Sequence, residues 1–174
     1  YDNNTNTMIG FSQDNRNFMF QNILGYLRVS IKGDKCVRNI ELQSKGCETL
    51  SGMFYFAADD INSLDWYDNK KETIKIDCGK QGVQLSDTPT DFYFVMMPGE
   101  YADGISLTLN FTDDTTFTKS TSKSITIKRN TIQPMSAFEV GDVEWQVVTI
   151  KHTNSMIDAP QLYGSTSMMG YIYW

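Results

Sequence analysis

The chain has 174 residues, of which 40% are hydrophobic and 13% aromatic, a length and composition that suit one domain with a packed core, or one domain and a fragment of another. The formal net charge is −6 and basic residues form no block, which excludes the phosphate-binding surface of a nucleic-acid binder. No run approaches the roughly 20 apolar residues of a membrane helix, and the many Thr, Ser, Asn and Asp residues favour an all-β protein.

In the first half of the chain, alternating apolar and polar residues predict a series of β-strands. Gly33 and Asp34 supply a turn directly after the clearest of them. Gly52 is expected at a bulge or where two backbones approach closely. Residues 59–71 are polar and are interpreted as a loop. The predicted strands are Met8–Phe11 at an edge, Ile23–Ile31, Val37–Gln43 and Leu50–Ala58.

The second half contains two neighbouring strand patterns of different kinds. Phe92–Met97 is apolar at both alternate sets of positions, which is typical of a strand covered on both faces. After a Pro98–Gly99 turn, Ile105–Phe111 alternates strictly, which predicts one buried and one wet face. Strands that recur about every ten residues, with no helical period, predict an antiparallel sandwich or barrel. The remaining predicted strands are Thr73–Cys78, Thr116–Lys119 and Ile125–Ile127, for a total of about seven to nine.

The strand rhythm lapses around residues 133–142, and we place a domain boundary near residues 139–142. Residues 1–140 are expected to form the β-sandwich domain. Residues 141–174 are expected to be a C-terminal β segment, the start of a truncated second module, because they are too few for a core of their own. The chain begins at Tyr1 without a starting methionine, and we expect it to be a fragment of a longer precursor.

Three cysteines, Cys36, Cys47 and Cys78, match no metal-binding or redox spacing. They are interpreted as small, partly buried thiols. A bridge between Cys36 and Cys47 is the alternative, and it stays open.

Little in the sequence supports catalysis. His152 is the one histidine, no serine-nucleophile motif occurs, and neither a zinc nor a calcium spacing is present. Acidic pairs such as Asp113–Asp114 lie in predicted turns, where acids are favoured for backbone hydrogen bonding. We therefore expect a protein that is not an enzyme and that uses no cofactor and no metal.

One short segment has the composition of a carbohydrate-binding patch. Asp65, Trp66, Tyr67 and Asp68 place two aromatic rings beside two acids, and a ring can stack on the apolar face of a pyranose while carboxylates accept its hydroxyls. Aromatic residues that cap the end of a sandwich have the same composition, so both interpretations remain. The hydroxyl-rich residues 115–124 are interpreted as an exposed edge strand, a candidate for pairing with a partner.

Four blocks of sequence, in order, resemble the fimbrillin-like family of Bacteroidales bacteria. Its pattern, as matched here, is F-x-N-x-x-(A/G)-x-L-x-(F/V), then I-x-x-I-x-L, then Y-F-V-V-(L/M)-P-G, and then K-S-x-x-(I/L)-x-(R)-N. The matching residues are Phe20–Val29, Val37–Leu42, Tyr93–Gly99 and Lys123–Asn130.

This resemblance implies an antiparallel Greek-key sandwich of transthyretin-like type. It also implies export as a lipoprotein, a location at the cell surface, in the outer membrane or in a fimbrium of a Gram-negative bacterium, and adhesion rather than catalysis. Its partners would be other surface or fimbrial subunits, joined by addition of a β-strand, and host or bacterial surface ligands, glycans among them. The membrane would be reached only through a lipid anchor outside this chain, because no leading segment with a lipidation site is present.

The sequence Asp114-Thr115-Thr116 resembles the tripeptide that these bacteria O-glycosylate, which makes Thr115 a candidate modification site. Our expectation for the whole chain is a non-enzymatic adhesion or fimbria-associated domain of a multidomain outer-membrane lipoprotein. The alternative is a surface glycan-binding module.

Overall fold

The structure is a computed structural model, and it describes residues 7–14, 16–57 and 60–141. These residues contain fifteen β-strands and no helix, which confirms the all-β prediction. Among these residues, no helix is long and apolar enough to cross a membrane. The strands are β1 Met8–Phe11, β2 Met19–Asn22, β3 Gly25–Lys32, β4 Cys36–Ser44, β5 Ser51–Ala57, β6 Asp60–Lys71, β7 Thr73–Asp77, β8 Val83–Gln84, β9 Thr90–Met96, β10 Gly99–Tyr101, β11 Ile105–Phe111, β12 Thr116–Thr121, β13 Ile125–Ile127, β14 Ile132–Pro134 and β15 Phe138–Glu139.

The predicted C-terminal segment, residues 141–174, lies outside the described residues except for Gly141. The same holds for His152.

Two sheets make up most of the fold. In the first, which we call the β3 sheet, β3 pairs with β9 in antiparallel fashion on one side and with β14 and β15 in parallel on the other. In the second, the β4 sheet, the order is β12, β11, β4 and β7, and β8 also pairs with β4. Because the consecutive strands β3 and β4 lie in different sheets, the chain crosses between sheets, as it does in Greek-key sandwiches.

The inner faces of the two sheets share one hydrophobic core, so the sheets form a sandwich, as predicted. Along β11, buried and half-buried residues alternate without exception, which confirms the predicted half-buried strand. The central core residues are Leu27, Val29 and Ile31 on β3, Ile40 and Leu42 on β4, Phe92, Phe94 and Met96 on β9, and Ile105, Leu107, Leu109 and Phe111 on β11.

Strand β9 corrects one expectation. Phe92, Phe94 and Met96 face the core, but Tyr93 is 43% exposed and Val95 is only half-buried. The prediction that Phe92–Met97 is covered on both faces is therefore wrong. Within the described part of the chain, β9 pairs with β3 alone and so forms an edge of its sheet.

The two long sides of the sandwich differ. On one side, the rings of Phe117 on β12 and Phe138 on β15 stack with centroids 6.1 Å apart, and the ammonium of Lys119 lies 4.9 Å from the Phe138 ring. This contact closes the gap between the sheets. On the other side are β7 and β9, each paired with a single strand among the described residues. That side is where a cleft opens.

Short strand pairs raise the number of strands above the seven to nine expected. The pairs β1–β2, β5–β6 and β10–β13 each form a separate two-stranded sheet. Strand β6 includes nearly all of the segment predicted to be a polar loop, so that prediction is wrong. The expectation for Gly52 is confirmed, because the pairing shifts register beside it and a β-carbon there would lie 2.9 Å from the Asp68 carbonyl oxygen.

The three cysteines are free thiols, with Cys36 and Cys78 half-buried and Cys47 exposed. The bridge between Cys36 and Cys47 is therefore not formed. Strand β12 lies at the edge of the β4 sheet, as predicted for the hydroxyl-rich segment.

Candidate ligand-binding cleft

The four residues of the predicted carbohydrate patch all lie on β6, in the β5–β6 hairpin. Trp66 lies directly opposite Phe54, and their rings meet edge to face at 6.4 Å and 88°. Asp65 lies opposite Tyr55, whose hydroxyl donates to the Asp65 carboxylate at 3.3 Å. Asp68 lies opposite Met53. The aromatic pair gives the Trp66 ring a fixed neighbour on the partner strand.

These four residues do not form one surface. Successive side chains of a strand point to opposite faces, and Trp66 is accordingly half-buried whereas Asp65 and Tyr67 are exposed. Tyr67 is 69% exposed, and Asp68 is also exposed. A single platform made of both rings, as the sequence suggested, is therefore not present.

Trp66 instead lines a cleft of about 500 Å³ on the open side of the sandwich. Phe54 joins it from the hairpin, and Tyr26 and Tyr93 line the cleft from β3 and β9. The volume lies within the range of roughly 300–1,000 Å³ that ligand pockets occupy. The cleft therefore has the size and the aromatic lining of a small-ligand site.

Three residues with charged side chains also border the cleft. Asp77 and Lys75 line the cleft from β7, and Asp91 lines it from β9. The Asp77 Oδ1 accepts the backbone N–H of Gly79 at 2.8 Å, and the Asp91 Oδ1 accepts the hydroxyl of Ser30 at 2.5 Å. These bonds restrict how each carboxylate is oriented, and each can still accept further hydrogen bonds.

Strand edges border the cleft as well. Consecutive residues of β7 and of β9 line it, so it runs along two strands that have one pairing partner each in the described part of the chain. Such an edge presents backbone N–H and C=O groups that are not used in a sheet. The cleft can thus offer rings, carboxylates and backbone groups to one ligand.

The sequence pattern indicates Trp66 but none of its aromatic neighbours in the cleft. Phe54 meets Trp66 through the pairing of β5 with β6, whereas Tyr26 and Tyr93 lie in a different sheet and line the same cleft. The signal that could have revealed Tyr93 is its position opposite Arg28 on the outer face of the β3 sheet, and that pairing is not readable without the register.

Thr115, the predicted modification site, lies in the tight turn between β11 and β12 and is exposed. Its hydroxyl donates to Asp113 at 2.6 Å and lies 3.0 Å from the Lys35 ammonium. The hydroxyl of Thr115, its backbone N–H and the Lys35 ammonium, in that order, donate hydrogen bonds to Asp113 and lower its pKa to about 2. The turn interpretation of the Asp113–Asp114 pair is therefore confirmed.

Among the described residues, no group of His, Cys, Asp and Glu side chains could hold a metal ion.

No protein-family model matches this chain, and no curated protein matches it. Among solved structures, the chain is similar to the crystal structure of a "putative cell adhesion protein" from Bacteroides fragilis, with a TM-score of 0.42 and 10% sequence identity. The similarity covers 78% of this chain and 49% of that protein, so the chain spans about half the length of its structural neighbour. A likeness this distant assigns no function.

Proposed function

We propose that the chain is a non-enzymatic adhesion domain of a bacterial cell-surface protein of the fimbrillin-like type. The observation that carries the proposal is the place of the four resembling sequence blocks in the fold. They fall on the strands β2 and β3, then β4, then β9 and the turn after it, and finally β13. Each block contributes buried residues to the shared core.

This placement supports the proposal because a family resemblance is expected to fall on the strands that build the common scaffold. The matched core residues belong to both sheets, so the resemblance involves the whole sandwich and not one hairpin. The proposal extends to what the family implies: a transthyretin-like domain over residues 1–140, export as a lipoprotein, and anchoring at the outer membrane or in a fimbrium. Its partners are then surface or fimbrial subunits and ligands on host or bacterial cells.

The experiment is done in the bacterium of origin. Antibodies against the chain are applied to intact and to permeabilised cells, and a strain lacking the gene is compared with its parent in adhesion to host cells and to other bacteria. We expect labelling of intact cells and adhesion that is reduced several-fold at unchanged growth. Labelling that requires permeabilisation, or adhesion that is unchanged on every surface tested, contradicts the proposal.

A surface glycan-binding module is the second candidate function. The observation in its favour is that Trp66, chosen from the sequence as a sugar-stacking residue, lines an aromatic cleft together with two carboxylates. A glycan array probed with the complete 174-residue chain tests this candidate. Binding to a defined subset of glycans supports it, and an array without binding removes it.

A further inference from the structure

We infer that the cleft binds a neutral hexose unit of a glycan, with Trp66 as its stacking surface. The inference rests on the proposed adhesion function and deepens it, because it assigns the class of ligand and the place where the ligand is held. It also moves the binding site from the exposed residues Asp65 and Tyr67 to the face of β6 on which Trp66 lies.

The aromatic lining is the first argument. Phe54 meets the Trp66 ring edge to face at 6.4 Å, which limits the orientations that the indole can adopt. Tyr26 and Tyr93 add two further rings whose hydroxyl groups can donate or accept hydrogen bonds. The C–H face of a pyranose is apolar and flat, and a fixed aromatic ring of similar size is the surface that matches it.

The polar groups supply the second argument. A hexose presents several hydroxyl donors around its rim, and carboxylates are the strongest acceptors available in a protein. Asp77 is held by one protein hydrogen bond, and Asp91 by one hydrogen bond and an ion pair with Arg28 at 3.8 Å, so their remaining acceptor positions are partly oriented before a ligand arrives. An apolar cleft with a few oriented polar groups is the usual form of a small-ligand site.

Charge selects among the possible sugars. The Asp91 carboxylate lies 3.8 Å from the Arg28 guanidinium and Asp77 lines the cleft together with Lys75, so the cleft has no excess of cations, and the chain as a whole carries a formal net charge of −6. A sialylated, uronic or sulfated sugar would be repelled by this field, whereas a neutral hexose would not. The ligand is therefore assigned to the neutral glycans.

The experiment uses the complete 174-residue chain and isothermal titration calorimetry. The probes are linear oligosaccharides of glucose, mannose and galactose, with an oligomer of galacturonic acid of the same length as the anionic counterpart. We expect at least one neutral oligosaccharide to bind and the galacturonic acid oligomer to bind about tenfold more weakly or worse.

Four variants locate the site. Trp66→Ala is expected to weaken binding about tenfold or more, and Trp66→Phe, which keeps a ring, about threefold. Tyr93→Ala, at a lining position on β9, is expected to weaken binding several-fold and provides the test if Trp66→Ala does not fold. Tyr55→Ala is the matched control, because it removes a 54% exposed ring of the same hairpin that does not line the cleft. It is expected to leave affinity unchanged.

Several results overturn the inference: no binding of any neutral oligosaccharide, tighter binding of the anionic oligomer, or an affinity that Trp66 and Tyr93 variants leave unchanged. A loss of binding in Tyr67→Ala but not in Trp66→Ala would place the sugar on the exposed face of β6. Binding of an extended peptide, but of no sugar, would assign the cleft to peptides. If sugars do not bind while surface labelling and adhesion in cells persist, the ligand assignment is wrong and the adhesion function is not.

Discussion

The hydroxyl of Tyr101 donates a hydrogen bond of 2.9 Å to the carbonyl oxygen of Met97, across the Pro98–Gly99 turn. Both residues are buried. The bond connects the two ends of a corner in the chain. At this corner the chain leaves β9 in one sheet and continues through β10 toward β11 in the other. Because buried polar groups are costly when they lack a partner, this pair stabilises the corner as a structural element of the scaffold.

Replacing Tyr101 with Phe should lower the free energy of unfolding by about 1–2 kcal/mol, since the ring is kept and the buried Met97 carbonyl loses a donor. Urea unfolding followed by tryptophan fluorescence measures the change. Tyr93→Phe is the control, because that side chain is 43% exposed, and its effect should stay within about 0.5 kcal/mol. Equal effects of the two substitutions would contradict the role of the Tyr101 bond.

Burial of Tyr101 raises its pKa to about 12, with a smaller contribution from the charge of Glu48. The folded chain therefore keeps a proton on this phenol at pH values where the unfolded chain, with an ordinary pKa near 10, has lost it. The contribution of the Tyr101 phenol to folding stability is complete below about pH 10 and is lost as pH rises toward 12. The difference in unfolding free energy between wild type and Tyr101→Phe should shrink across this interval, and a constant difference from pH 9 to 12 would refute it.

Gly52→Ala should destabilise the β5–β6 hairpin by about 1–3 kcal/mol, because Gly52 has a φ of +153° and the added methyl group would lie 2.9 Å from the Asp68 carbonyl oxygen. Hydrogen exchange of the amides of residues 51–71 reports on this hairpin. Gly99→Ala is the matched control, since no atom lies within 4 Å of the position its methyl group would occupy. Faster exchange in Gly52→Ala alone is the expected result, and equal exchange in both variants would contradict it.

Asp113 should contribute to acid stability. Its pKa is lowered to about 2, chiefly by the hydroxyl and the N–H of Thr115 and then by Lys35. A carboxylate with a lowered pKa stabilises the fold above its ordinary value near 4, and this contribution is lost as pH falls toward 2. The difference in stability between wild type and Asp113→Asn should decrease over that interval. A difference in stability that is independent of pH would show that the hydrogen bonds of the turn do not stabilise the ionised Asp113 carboxylate.

Thr115 is expected to carry an O-linked glycan in the protein purified from its native bacterium. Intact mass spectrometry should show an excess over the polypeptide mass that disappears in Thr115→Ala. Thr118→Ala, at an exposed position on the adjacent strand, is the control and should keep the excess. A wild-type mass equal to that of the unmodified chain would show that the tripeptide is not used.

The sequence predicted best the strands that have one dry and one wet face. Ile105–Phe111 is the clearest case, since its alternation corresponds directly to the alternating burial of β11. Strand β9 shows why a continuous apolar run is ambiguous: apolar residues on the second face of a strand can be covered by another layer, or they can line a cleft, as Tyr93 and Val95 do. Composition alone does not separate these two causes.

The hairpin β5–β6 could not be predicted as a pair of strands because β6 is polar along much of its length and the register shifts at several points. Polar residues with no alternation indicate a loop, and the strand exists here through its pairing with β5. The candidate site depends on that pairing. Trp66 was identifiable from the composition of residues 65–68. Its contact with Phe54 follows from the register between β5 and β6, which no local pattern specifies.

Adhesion by the domain can be measured with beads coated with the complete purified chain. Their attachment to epithelial cells and to intact bacteria is compared with that of beads coated with heat-denatured chain at equal density. We expect attachment of the native beads to at least one cell type, inhibition by soluble chain, and little attachment of the denatured beads. Equal attachment of native and denatured beads, or none to any cell, would contradict it.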